Sequence, residues 1–102
     1  MRKRANFEIP KQKIAEFCRK NHIKKLSLFG SALRDDFRPD SDVDILVEFE
    51  LAAHVGLIKL AGLELKLGEI LGRKVDLNTP EFLSKYYRKE ILAEAEAQYD
   101  AA

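Results

Sequence analysis

Apolar residues recur along this chain in two rhythms, one of about three and a half positions and one of two, and the switches between them divide it into elements. Ile14, Phe17 and Cys18 share one side of a helical wheel. Pro10 is tolerated in a first turn and Asn21 is a stop, so a helix is predicted between them. Ile23, Leu26 and Leu28 predict a strand over Ile23–Phe29 that ends at Gly30. Ser31 suits a helix N-cap, and a short helix through Leu33 and Arg34 is expected after it. Residues 35–41, with Pro39, three aspartates and a serine, read as a loop. Val43–Phe49 is a second strand, and its run Ile45, Leu46, Val47 implies burial on both faces. A long helix is predicted over Val55–Leu71, with Leu57, Leu60, Leu63, Leu67 and Ile70 as its inner stripe and Gly72 ending it. Gly56, Gly62 and Gly68 weaken that helix by propensity. Lys74–Asn78 reads as a short strand broken by Thr79-Pro80. Ser84–Tyr99 reads as a last helix, with Tyr87, Ile91, Leu92 and Ala95 inward and Lys85, Lys89, Glu90 and Glu94 outward.

Helices alternating with strands in this order predict an α/β fold, a small sheet packed with about four helices. A length of 102 residues fits a single domain over 1–102, residues 1–9 being a flexible lead segment. The formal net charge is +1, with both signs interleaved. That balance argues against a nucleic-acid binder, which carries a basic stripe; Arg2, Lys3 and Arg4 read as a solvated tail. One cysteine, Cys18, excludes an internal disulfide. No apolar run reaches the roughly 20 residues that cross a bilayer, and no secretory leader is apparent. A cytoplasmic location is the expectation.

Four features carry candidate chemistry. Gly30-Ser31 stands at a strand-to-helix turn, where glycine permits close approach and the Ser31 hydroxyl with free backbone N–H groups can hold a phosphate; a plain turn has the same composition. Asp42 and Asp44 are two apart, so on a strand they share a face. Two adjacent carboxylates repel, and a hard divalent cation such as magnesium removes the conflict; a solvated strand start is the blander alternative. Asp76 lies between Val75 and Leu77 on another apolar strand. If the two strands are neighbours, three carboxylates meet and can hold two metal ions roughly 3.5–4 Å apart, the spacing that clamps attacking and leaving oxygens. Arg34 and Arg38 lie between the serine and the aspartate pair and suit phosphate as well as a surface ion pair.

The stretch GSALRDDFRPDSDVDILVEF, residues 30–49, resembles the signature of the nucleotidyltransferase superfamily that includes DNA polymerase beta. The short length and the closing LGRKVDLNTPEFLSKYYRKEIL are similar to the minimal nucleotidyltransferase group, and the likeness runs from about Pro10 to Tyr99. It implies the nucleotidyltransferase fold, ATP as substrate, Gly30, Ser31 and Arg34 as nucleotide-binding residues, and Asp42, Asp44 and Asp76 as catalytic residues holding two Mg2+ ions. Asp76 in that role also accepts the acceptor hydroxyl's proton. The resemblance further implies a partner: such chains are commonly encoded beside a HEPN-domain RNase toxin, which they adenylylate on a tyrosine, acting as antitoxins. A chain this short has little left for a second substrate-binding domain, which agrees with an acceptor surface supplied by another protein, as a homo- or hetero-oligomer.

Two rival readings differ in class. One keeps the enzyme but gives it a small-molecule or RNA-end acceptor; the other is a non-catalytic toxin-binding module. Balanced charge disfavours RNA, length disfavours a small-molecule pocket, and three intact aspartates disfavour the inert module. His22 is expected to interact with the last carbonyls of the first helix, and His54 lies in the turn before the long one. Neither forms a zinc-ligand spacing with the other or with Cys18. Cys18 reads as a small core residue. Tyr86 and Tyr87 are conceivable self-modification sites, at least one of them expected in the core.

Overall fold

The computed structural model describes residues 9–33, 42–50 and 55–101, the side chains of Ser31 and Ala32 excepted. The first helix, α1, spans Lys11–Lys20 with Pro10 at its N-cap, and Ile14, Phe17 and Cys18 are its buried residues. Arg19 and Lys20 in its last turn complement the negative end of the helix dipole. Asn21 ends it: its backbone N–H reaches Phe17 O at 3.1 Å and Cys18 O at 3.3 Å, and its Nδ2 donates to Phe17 O at 2.9 Å. The cap expected of His22 is therefore Asn21's. His22 instead makes the left-handed turn (φ 59°) and places Nδ1 3.8 Å from Glu50 Oε1.

Strands β1 (Ile23–Phe29) and β2 (Val43–Phe49) occupy the spans their alternation predicts. Between them Gly30–Leu33 forms a 3-10 turn; Arg34, placed in that short helix by the sequence pattern, lies outside the described residues, as do Arg38 and His54. The next helix, α2 (Leu57–Leu71), ends where Gly72 enters the left-handed region at φ 67°. It leads into β3 (Val75–Asn78), a 3-10 turn at Pro80–Phe82, and helix α3 (Lys85–Glu94), whose N-cap Ser84 accepts from the Tyr86 N–H.

The chain then departs from the predicted pattern. The last helix stops at Glu94, and Glu96–Asp100 is a strand, β4, antiparallel to β1. The residues Glu96, Ala97, Gln98, Tyr99 and Asp100 alternate polar with apolar, the strand period. Two alanines disguise it as helix, and the open edge of β1 overrides that local preference. Lys11 Nζ donates to Gln98 Oε1 at 2.9 Å, tying β4 to α1. The expected inward line of the last helix holds only in part: Ile91 and Ala95 are half-buried, but Tyr87 is 62% and Leu92 42% exposed, and Arg88 is half-buried beside Ile91 on α3. The architecture is thus a four-stranded mixed sheet, order β3-β2-β1-β4, with three α-helices and two 3-10 turns among the described residues.

The core lies on one face of the sheet. Leu26, Leu28, Val43, Ile45, Val47, Val75 and Leu77 pack there against Ile14, Phe17 and Cys18 of α1 and Leu60, Leu63 and Leu67 of α2. Leu57, expected in the same stripe, is 69% exposed. A 15-residue α2 runs about 22 Å while the 4-residue β3 runs about 13 Å, so its first turn extends past the end of β3. On the opposite face Ser27 and Leu46, paired across β1 and β2, are buried as well.

Leu67 is fully buried at the centre of the cluster. Leu67→Ala should lower unfolding free energy by about 2–5 kcal/mol in urea titration. The Cys18 thiol is pushed up to about 12 by burial, with Arg19 pulling it slightly back. The folded thiol stays protonated while the unfolded one ionises near its ordinary value, so this contribution to stability is intact below about pH 9 and is lost as pH rises toward 12. Thiol labelling at pH 8 should accordingly proceed only at the rate of unfolding, whereas a fast native-state reaction would refute the burial.

Candidate functional site

The parallel pairing of β2 with β3 sets the site. Val43 pairs with Val75, Asp44 with Asp76, and Ile45 with Leu77. Paired residues of neighbouring strands point to the same face, and here the valines, Ile45 and Leu77 face the helices. Asp44 and Asp76 therefore stand side by side on the opposite face, on strands about 4.8 Å apart. Asp44 is half-buried and Asp76 exposed. Asp42 is exposed, one residue before β2 begins, on the same side as Asp44 by the two-residue period.

The turn after β1 closes on this pair from the other side. Phe29 pairs with Asp44 across the antiparallel β1–β2 ladder, so Gly30 emerges beside that carboxylate. Gly30 has φ +64°, and a Cβ built on it would overlap Asp44 Oδ2 and come within 3.3 Å of its Cγ. Two independent constraints thus require glycine: the left-handed backbone and the carboxylate against it. The backbone of Ser31 follows in the 3-10 turn. One end of the sheet gathers the last residue of β1, the glycine-serine turn and the first residues of β2 and β3.

Like charges directly opposite across a ladder are unfavourable. The donor set is carboxylate oxygen alone, the hard chemistry that suits magnesium. Among the described residues no three carboxylate, imidazole or thiolate side chains converge tightly enough to enclose an ion as they stand. The backbone register sets Asp44 and Asp76 side by side without enclosing an ion. An open cavity of about 450 Å³, lined by Lys24, Glu48, Phe49, Val55, Thr79 and Phe82, lies toward the far end of β2 and touches none of these residues.

One supporting residue was not singled out from sequence. Glu64 of α2 accepts from the Leu77 backbone N–H at 2.8 Å, clasping the outer edge of β3 and holding the strand that bears Asp76. A glutamate on a helix flank carries no pattern that distinguishes it from solvated residues.

Comparison with known proteins follows this geometry. Residues 11–97 match the family described as nucleotidyltransferase domain. A Methanocaldococcus jannaschii protein provisionally assigned as protein adenylyltransferase MJ0435 is 38% identical over 85 residues, spanning 83% of this chain and 89% of its own. A toxin–antitoxin crystal structure with AMP-PNP shares the fold at TM-score 0.74 and 24% identity, over 90% of this chain and 74% of that one. The complex of tri-AMPylated Shewanella oneidensis HEPN toxin with MNT antitoxin matches at TM-score 0.65 and 25% identity, over 88% of this chain and 69% of the other.

Gly30→Ala should destabilise the fold by about 1–3 kcal/mol, since it forces both a left-handed Cβ residue and displacement of Asp44. Gly62→Ala, on the exposed face of α2 with open space around it, should stabilise by about 0.5–1 kcal/mol. Urea denaturation of the two variants compares them directly, and equal effects would contradict the close approach.

Proposed function

The chain belongs to the nucleotidyltransferase domain family, and from that premise we propose that it transfers AMP from ATP to a hydroxyl of a partner protein. The observation that carries this reading is the pairing of Asp44 with Asp76 beside Gly30. The acceptor we assign is a tyrosine of a HEPN-domain toxin, with this chain acting as antitoxin; the Shewanella oneidensis complex carries a HEPN toxin described as tri-AMPylated.

In this mechanism Asp42, Asp44 and Asp76 would hold two magnesium ions. When bound, these supply charge neutralisation for the triphosphate and acidify the attacking hydroxyl. Gly30 and Ser31 offer backbone and hydroxyl donors to the phosphates, with Arg34 close by in the chain to balance their charge. The acceptor oxygen attacks the α-phosphorus in line. A new O–P bond forms, the bond to the β-phosphate oxygen breaks, pyrophosphate leaves, and Asp76 takes the hydroxyl proton. Gly30, packed on Asp44, holds the phosphate-binding turn at a fixed distance from the carboxylates, so catalysis rests on positioning and electrostatics.

The double variant Asp42→Asn, Asp44→Asn should lose at least about 10³-fold in transfer rate while keeping its melting temperature. The check is mass spectrometry of the co-purified HEPN partner after incubation with ATP and magnesium. Gain of one or more AMP units with the wild type and none with the double variant is the expected result. Undiminished gain with the double variant would reject these carboxylates. Inhibition of the toxin without any mass gain would identify a binding module.

A further inference from the structure

The helix layer over the core leaves a groove on its outer side. Helix α1 reverses into β1 through the turn at Asn21–His22, and α2 carries the chain back from β2 to the parallel β3. Because β1 and β2 are antiparallel, the two helices run antiparallel to each other over one face of the sheet. Between them lies an open groove of about 660 Å³. Phe17 of α1 with Leu63 and Ile70 of α2 form its apolar floor, and Lys13, Lys20 and Lys66 stand along its rim. Lys13 to Lys20 on one wall and Leu63 to Ile70 on the other each cover two helical turns, about 10 Å.

Charge is sorted around this groove although the chain as a whole is nearly neutral. Glu16 is the one carboxylate that lines it, against three lysines. Those lysines are exposed, and among the described residues no ion pair engages them. The cavity at the far end of β2 has the reverse balance, with Glu48, Glu50 and Glu81 against Lys24. The surface of α2 beside the groove is apolar too. Ile58 and Leu65 are 91% and 72% exposed, and Gly62, one turn before Lys66, has open space where a side chain would be. A helix apolar on its outer as well as its inner side is one that something else covers.

We propose that the α1–α2 groove docks an acidic amphipathic helix of a partner protein. The apolar stripe of such a helix, recurring every three or four residues, matches a trough two turns long with an apolar floor. Its flanking carboxylates meet the lysines on both walls, and Gly62 lets its backbone approach α2 closely. A flat bilayer does not reach a floor recessed between two helices, and a nucleic acid answers the lysines but leaves Phe17 and Ile70 uncovered. A second copy of this chain does not fit the charge. Cations outnumber anions on α1 and α3, and on α2 they balance, so none of its helices is acidic. The groove faces away from Asp44 and Asp76, and a helix seated in it leaves the end of the sheet that bears them open.

Fluorescence anisotropy with a labelled designed peptide tests this on the full chain. The peptide has about four helical turns, one stripe of leucines and glutamates on either side of it. Saturable binding in the micromolar range is expected. The double variant Lys13→Glu, Lys66→Glu should weaken it at least about 10-fold. Lys85→Glu, Lys89→Glu on α3 changes the net charge equally and should stay within about twofold of the wild type. All four lysines are exposed, so both variants fold. A peptide of the same composition with its leucines scattered should bind at least about 10-fold more weakly than the striped one. Equal losses in the two double variants would report net charge alone and overturn the assignment. So would equal binding of the scattered peptide, or no saturable binding up to about 1 mM. Anionic phospholipid vesicles or single-stranded RNA bound where the peptide is not would overturn it as well, and would name a membrane or nucleic-acid surface in its place.

Discussion

Two carboxylates held in register across a parallel ladder are the constraint on which the rest of this molecule depends. Asp44 and Asp76 sit opposite each other because β2 and β3 pair Val43 with Val75 and Ile45 with Leu77. Those apolar pairs are buried under α1 and α2, and a slip of one residue would turn them outward and the aspartates into the core. The unfavourable charge pair is therefore imposed by the hydrophobic pairs on either side of it. Repulsion between the carboxylates is small beside the burial that fixes the register, so the fold tolerates two like charges side by side.

The same division of labour runs through the neighbouring elements. The α2 crossover fixes β3 as a parallel neighbour, and Glu64 secures the strand's outer edge through the Leu77 N–H. On the other flank, Gly30 turns β1 back against Asp44 with no side chain of its own to interfere. One face of the sheet supplies stability and the other presents polar groups. Mutations that weaken one need not weaken the other.

Much of this was legible in the residues. β1 and β2 were readable to the residue because alternation and uninterrupted burial leave little choice of register. Gly30, Asp42, Asp44 and Asp76 were readable as a group because carboxylates beside apolar strands are conspicuous. The adjacency of β2 and β3 was a condition of that reading, and the structure meets it. What could not be read depends on tertiary competition. Ala95 and Ala97 favour a helix locally, yet the vacant edge of β1 draws Glu96–Asp100 into the sheet. Leu57 matches the inner stripe but lies past the end of a short strand.

The position of β4 has a consequence for how the molecule is made. Lys25 pairs with Asp100 and Leu26 with Tyr99, contacts spanning most of the chain. During synthesis β1 emerges early and β2 can pair with one side of it within a few turns of chain, whereas its other side must wait for Glu96–Asp100, much later in the chain, to leave the ribosome. Until then a row of hydrogen-bonding groups on a strongly apolar strand stands open, the kind of edge on which nascent chains stick to one another. Early engagement by a chaperone or a cognate protein would shield that seam, giving this small domain a reason to be assembled in company.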